Sequence, residues 1–203
     1  MIAAFDFDGT ITTRDTLIPF FYRCFGRAKV YGVFATVAWD ALKFGLGYGS
    51  RDQLKAKVIA RLFRGVPQAV VQQAGREHAR AVTASFRPAA LERIAWHRAQ
   101  GHRLIMVSAS LDVYLQYVAT ALGFDDLLCT TLEVDEQQVC TGATVSGNCR
   151  AMAKVRRLQQ HLGDLSQFDL YAYGDSAGDK EMLEIADHPS FKPFLHNNTT
   201  STR

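Results

Sequence analysis

The chain has 203 residues, 48% hydrophobic and 21% charged, the profile of a globular protein with one sizeable core and room for a small second lobe. Its formal net charge of +3 is too small and too scattered for a phosphate-backbone footprint, which argues against a nucleic-acid partner. The four cysteines, Cys24, Cys129, Cys140 and Cys149, form no C-x-x-C pair and no His cluster accompanies them, so reduced thiols are expected rather than disulfides or a metal knot.

In chain order, the first element is a strand over Ile2–Phe5 with a break at Gly9; Met1 leads straight into it, so no secretory leader is expected. A cytoplasmic location is expected on that basis. The segment from Asp15 to Ser85 then departs from any strand rhythm. It is helical in tone, punctuated by Gly45, Gly47 and Gly49, with Pro67 at the start of another helix. A helix follows over Pro88–Gln100, with proline in its first turn and Gly101 as its stop. Leu104–Val107 reads as the second strand, Asp112–Leu122 as a helix closed by Gly123, and Leu127–Thr131 as a third strand. Leu132–Val145 alternates and carries turn residues, the pattern of a β-hairpin decorating the core. A helix over Ala151–Leu162 and a strand over Asp169–Tyr173 complete the pattern, and the polar end His196–Arg203 is expected to fray.

Alternating strands and helices imply an α/β protein, a Rossmann-like, doubly wound, mainly parallel sheet with helices on both faces. Residues 1–14 and 86–203 would form the core domain. Residues 15–85 would form a helical cap, inserted after the first strand and lying over the C-terminal edge of the sheet.

In such sheets ligands bind beyond the carboxyl ends of the strands. Polar residues gather there: Asp6 and Asp8 after the first strand, Ser108 after the second, Asp175 and Asp179 after the last, and Lys154 near the start of the preceding helix. Each has a structural explanation of its own. Asp8-Gly9 is a common turn pair, Ser108 could cap a helix, Lys154 could be solvated, and Asp175 and Asp179 could be first-turn acids. Two carboxylates as close as Asp6 and Asp8 disfavour each other's ionisation unless a cation lies nearby or one is protonated. A nucleophile, an acid, a compensating lysine and a metal site together are what phosphoryl transfer needs.

These motifs, Asp6-Phe7-Asp8-Gly9-Thr10, Ser108, Lys154 preceded by Cys149, and Gly174-Asp175-Ser176 with Asp179, resemble those of the haloacid dehalogenase superfamily, in its phosphoserine-phosphatase-like subfamily IB. The order of motifs and the position of the helical insertion (a C1-type cap) match that subfamily. The resemblance implies a Mg²⁺-dependent phosphomonoester hydrolase acting on a small phosphorylated metabolite through an aspartyl-phosphate. Asp6 would be the nucleophile and Asp8 the general acid and base. Thr10, Ser108, the Ala109 amide and Lys154 would hold phosphate. Asp6, the Asp8 backbone carbonyl and Asp175 would hold the metal, with Asp179 a ligand or a partner through water.

Substrate choice would fall to the cap. Where phosphoserine phosphatases carry a cap glutamate and a cap arginine, this chain offers Asp15 and the cations Arg51, Lys55 and Lys57, with Asp15 and Lys57 as the candidate pair. The cap is also unusually aromatic, through Phe20, Phe21, Tyr22, Phe25, Tyr31, Phe34, Trp39 and Phe44. Helical apolar stripes are usually core. An outward apolar face near Arg23, Arg27 and Lys29 would instead meet the inner face of a membrane and resemble a phosphatidylglycerophosphatase. Val30–Leu46 itself is too short and too interrupted by Asp40 and Lys43 to span a bilayer. A catalytically idle phosphate-binding module is the other alternative, although no motif carboxylate or lysine is missing. The sequence leaves the oligomeric state open.

Overall fold

Strand β1 (Ile2–Phe5) is apolar throughout and buried throughout, because it runs down the middle of the sheet. The computed structural model describes residues 1–45 and 50–195, with side chains of 39–45 left out; Gly47, Gly49, the side chains of Trp39 and Phe44, and the end His196–Arg203 lie outside the described residues. Among the described residues the sheet has six strands in the order β4-β3-β2-β1-β5-β6. They are β2 (Arg103–Leu111), β3 (Asp126–Val134), β4 (Cys140–Val145), β5 (Leu170–Gly174) and β6 (His188–Phe191). All neighbours run parallel except β4, which turns back antiparallel to β3.

Both faces of the sheet are covered, and the period-two alternation of a strand sorts side chains between them. Ala3, Phe5, Leu104 and Met106 face a layer containing α5 (Pro88–Ala99) and α6 (Asp112–Leu122). Ile2, Ala4, Ile105 and Val107 face α7 (Met152–Leu162) and the short α8 (Lys180–Glu184). The parallel part of the core thus follows the expected strand and helix alternation. Two departures are informative. The third strand and the first arm of the hairpin are one continuous strand, β3, which pairs with β2 at its start and with β4 at its end. Strand β6 is four mostly exposed residues at the sheet edge, too short and too polar to carry a periodic signal.

The cap comprises α1 (Leu17–Phe25), α2 (Arg27–Gly45), α3 (Arg51–Phe63) and α4 (Gln68–Val82). Its two connections to the core run side by side: Thr13 N–H donates to the Ser85 carbonyl at 2.8 Å and Arg87 N–H to the Ile11 carbonyl at 2.8 Å. Helix α4 lies against α6 so closely that a Cβ on Gly75 would sit 2.0 Å from the Val113 carbonyl oxygen, so glycine is required there. The hairpin does more than decorate the core. Backbone hydrogen bonds from Gly65 to Cys140 and from Cys140 to Val66, both 2.9 Å, tie it to the cap.

The aromatic run is divided between cap interior and surface, with Tyr22, Phe25 and Phe34 half-buried. Phe20 and Phe21 are buried and pack with Phe63, His78 and Tyr114, while Tyr31 is exposed. Among the described residues no helix is long and apolar enough to cross a membrane.

Candidate active site

Strand order reverses at β1, whose neighbours β2 and β5 follow it in sequence on opposite sides, so the crevice beyond its carboxyl end is the natural ligand site. A cleft of about 220 Å³ opens there, lined from the core by Asp6, Asp8, Ser108, Ala109, Lys154 and Asp179 and from the cap side by Asp15, Arg51, Asp52 and Lys55. The sequence candidates from the core other than Thr10 and Asp175 therefore converge on the cleft. Lys57 does not: it is an exposed residue of α3 outside the lining set, whereas Arg51 and Lys55, four residues apart, share the face of the helix that meets the cleft.

Asp6 and Asp8 point to the same side of the chain, with the intervening Phe7 fully buried against Phe86. Their surroundings differ. Asp6 Oδ1 accepts from Lys154 Nζ at 2.5 Å. That ammonium is buried and spends its other two donors on Asp179 Oδ1 at 2.6 Å and the Val107 carbonyl at 2.7 Å. Burial alone would lower Lys154; Asp6 and Asp179 outweigh it and hold the charge in place. This is no solvated helix lysine. Its helix follows directly on Ala151, which takes a positive φ of 53° and donates its N–H to the Gly178 carbonyl at 2.8 Å. A non-glycine residue in that region is strained, and the strain fixes where α7, and so Lys154, begins.

Asp8 faces hydroxyls and amides. Its Oδ1 accepts from Thr16 N–H and Thr16 Oγ1, both at 2.7 Å, and its Oδ2 accepts from Ser110 Oγ. Tyr114 OH lies 2.9 Å from Thr16 Oγ1 and supports it from α6. Burial, then the charge of Asp15, pushes Asp8 up to about 6. Burial raises Asp6 too, against the pull of Lys154, to about 7. Thus Asp6 is a gripped anion-in-waiting, and Asp8 is poised to hold or release a proton near neutrality.

Ser108 is not a helix cap. It is the last residue of β2 before a bulge: Ser108 pairs with Cys129, and the next pair is Leu111 with Thr130. Ala109 and Ser110 bow out of register toward the cleft, the kind of irregularity that re-aims groups at a site. Ser110 N–H donates to Ser108 Oγ at 3.1 Å. Outside the bulge, the Ala109 carbonyl accepts from Thr130 Oγ1 at 2.8 Å and from Lys55 Nζ.

Thr10 and Asp175 lie beside Asp6, outside the set that lines the cleft. Thr10 Oγ1 is 3.3 Å from Asp6 Oδ2 and 3.4 Å from Asp175 Oδ1, so its hydroxyl is directed at carboxylates rather than at the expected phosphate position. Its place one short turn after Asp6, where Ile11 N–H bonds the Phe7 carbonyl at 2.9 Å, is the reason.

Carboxylate oxygens of Asp6, Asp175 and Asp179 lie within 4.8 Å of one another. Asp179 has little left to offer an ion, since Oδ1 is taken by Lys154 and Oδ2 accepts from Ser176 N–H at 3.0 Å and Ser176 Oγ at 2.8 Å. Asp6 Oδ2 and Asp175 instead share a single long hydroxyl contact, and burial together with Asp179 raises Asp175. Hard, under-satisfied oxygens on buried Asp6 and half-buried Asp175 suit a Mg²⁺-like cation. The donor set fits the metal at Asp6 and Asp175, with Asp179 positioning Lys154 and the Asp175–Ser176 backbone.

The cysteines are all free thiols, and burial pushes Cys149 above its ordinary range, which does not favour a metal thiolate. Sequence reasoning missed Thr16, Ser110, Thr130 and Asn148. Ser110 had a signal, as the second serine of Ser108-Ala109-Ser110; the others become neighbours only through the fold.

An α/β sheet with an acidic pair after its first strand, a buried lysine against it and a helical cap above defines a hydrolase of the haloacid dehalogenase type. The chain belongs to the haloacid dehalogenase-like hydrolase family, whose profile matches residues 3–184. It is 34% identical over 196 residues to Protein CicA of Caulobacter vibrioides (strain NA1000 / CB15N), covering 96% of this chain and 86% of that one. Among solved structures it is similar to a protein of unknown function from Bordetella pertussis Tohama I, with TM-score 0.76 and 24% identity over 90% of this chain and 85% of that one. It also resembles a substrate-bound phosphoserine phosphatase, with TM-score 0.62 and 20% identity over 91% of this chain and 82% of that one. At those identities the structural likeness is one of fold.

Proposed function

We propose that the protein is a Mg²⁺-dependent phosphomonoester hydrolase working through an aspartyl-phosphate. The observation that carries this reading is the division between the two carboxylates: Asp6 is held by Lys154, Asp8 by Thr16 and Ser110. An Asp6 oxygen would attack phosphorus as the bond to the leaving alcohol breaks, and Asp8 would give that alcohol its proton. Asp8, now a carboxylate, would take a proton from water as the water attacks the acyl-phosphate, releasing phosphate and restoring Asp6. Lys154 would offset the charge of the phosphoryl oxygens, and the Ser108 hydroxyl and the Ala109 amide would donate to them. A cation at Asp6 and Asp175 would offset the repulsion between the Asp6 anion and an anionic substrate.

A panel of phosphoserine, histidinol phosphate, sugar phosphates and a lipid phosphate, assayed for phosphate release with Mg²⁺, tests the class and narrows the substrate. The expected result is Mg²⁺-dependent release that drops by at least about three orders of magnitude in Asp6→Asn. Full activity in a pure Asp6→Asn preparation would sink the mechanism. Selective hydrolysis of the lipid phosphate with vesicle binding would support action at a membrane surface. Phosphate binding without turnover across the panel would leave an idle binding module.

A further inference from the structure

The cap touches the catalytic bulge through a half-buried polar row, with Thr130 its one buried member. On α3, Lys55 Nζ donates to the Ala109 carbonyl and, at 2.7 Å, to Asn148 Oδ1. Asn148 Nδ2 returns to α3 through Asp52 Oδ1 at 2.6 Å, and Thr130 Oγ1 contacts Asn148 Oδ1 at 3.0 Å. The row is more than a surface contact: Asp52, Lys55 and Asn148 line both the catalytic cleft and a second cavity of about 250 Å³ behind it, so they form the partition between the two.

What Lys55 grips is the peptide unit of the bulge. The Ala109 carbonyl belongs to the same planar unit as the Ser110 N–H. That N–H donates to Ser108 Oγ, which directs the Ser108 lone pair inward and leaves its own proton free to point into the cleft. The Ser110 side chain meanwhile donates to Asp8 Oδ2. Rotating this one peptide would disturb Ser108 and Asp8 together. From the core, Thr130 alone among the described side chains also holds the Ala109 carbonyl; from the cap, only Lys55 does.

We propose that Lys55 is a positioning residue that couples docking of the cap to the catalytic geometry, by fixing the Ala109–Ser110 peptide and through it Ser108 and Asp8. The inference rests on the phosphohydrolase reading above. It assigns the cap a part in the chemical step, separate from any contact with substrate. When α3 withdraws, the bulge loses a charged donor, and the hydroxyl and carboxylate lose their common anchor.

The test is a double-mutant cycle between Lys55→Met and Ser108→Ala, read by turnover of p-nitrophenyl phosphate with Mg²⁺. Lys55→Met should lower kcat by roughly ten- to a hundredfold with a smaller change in KM, and in the Ser108→Ala background the same change should cost at least about threefold less, the remainder being the share carried through Asp8. Lys55→Arg, which keeps a cationic donor, should recover part of the loss, and Arg61→Met on the exposed side of α3 should change nothing. Equal losses in both backgrounds would overturn the proposal. Melting curves check folding, and if Lys55→Met does not fold, Lys55→Gln carries the same cycle. Calorimetric binding of inorganic phosphate with Mg²⁺ repeats the cycle without turnover. Coupling in phosphate affinity with no hydrolysis would reject the hydrolase reading and keep the role of Lys55. Hydrolysis with additive losses would do the reverse, and neither hydrolysis nor phosphate binding would remove both.

Discussion

The core and the cap build their share of the cleft in different ways. In the core, side chains are placed by backbone bonded into the sheet: Asp6 hangs from the end of β1, its N–H bonded to the Tyr173 carbonyl of β5 at 2.9 Å. Ser108 ends the regular part of β2, and Lys154 is locked by three acceptors. In the cap, Arg51, Asp52 and Lys55 project from one face of a helix whose own anchorage is packing and a capping box at Ser50 and Gln53. The lesson is that the core is arranged for chemistry that does not vary, and the cap for contacts that can. Core substitutions should act on kcat and stability together. Cap substitutions should act on coupling or on stability alone.

The largest break is expected at Lys154→Met. On the phosphohydrolase reading it removes the charge that would face the phosphoryl oxygens, and activity should fall about 100- to 1,000-fold. It also leaves Asp6 and Asp179 buried side by side, a loss of roughly 3–5 kcal/mol for an uncompensated charge. Asp6 can soften that loss by taking a proton, so denaturant melts should show the deficit growing as pH rises from 6 to 8. A deficit that shrank with pH would contradict the assignment of Lys154 as the partner of Asp6.

A smaller effect is expected at Gly9→Ala. Gly9 has φ +81°, and a Cβ there would stand 2.2 Å from Asp175 Oδ2. Backbone strain of about 1–2 kcal/mol follows from the left-handed conformation. Displacing Asp175 should cost activity more than stability, on the order of ten- to a hundredfold. Titration with Mg²⁺ should show weaker apparent affinity, namely a higher concentration at half-maximal rate.

How far the sequence was legible follows the same division. Strand ends are local signals: an apolar run, then Asp6-Phe7-Asp8-Gly9, is readable because strand and turn lie within a few residues. The layers of the sheet were readable for the same reason, through short apolar runs such as β1 alternating with helices that have their own start and stop residues. The polar edge strand β6 offered no such period, and the hairpin's attachment to the cap depends on backbone pairing between distant segments. On α3 the outcome turned on helical phase. Arg51 and Lys55 fall four apart on one face, and Lys57, two residues further on, falls round the helix on another. Thr130 and Asn148 had no local signal, because their role exists only where β3, the following loop and the cap meet.

The smallest effect falls on the joint between the two regions. His78 of α4 is buried, and its Nε2 lies 2.9 Å from the Thr16 carbonyl, on the residue that holds Asp8. Burial pushes His78 down to about 4, so it folds as a neutral imidazole. An unfolded chain takes up that proton near pH 6.5, and stability linked to His78 is therefore lost as pH falls from about 6.5 toward 4. Asp6 and Asp8 oppose it: their folded values of about 7 and about 6 exceed the unfolded value, so the stability they contribute is lost as pH rises through that range. The wild-type profile should be flattened by this opposition. His78→Gln keeps a donor for Thr16 and removes the titration, so its stability relative to wild type should improve by about 1 kcal/mol at pH 5 and show no gain at pH 8. Turnover at pH 8 should be nearly unchanged. A gain independent of pH would mean that His78 contributes shape alone, and that the joint carries no proton-linked cost.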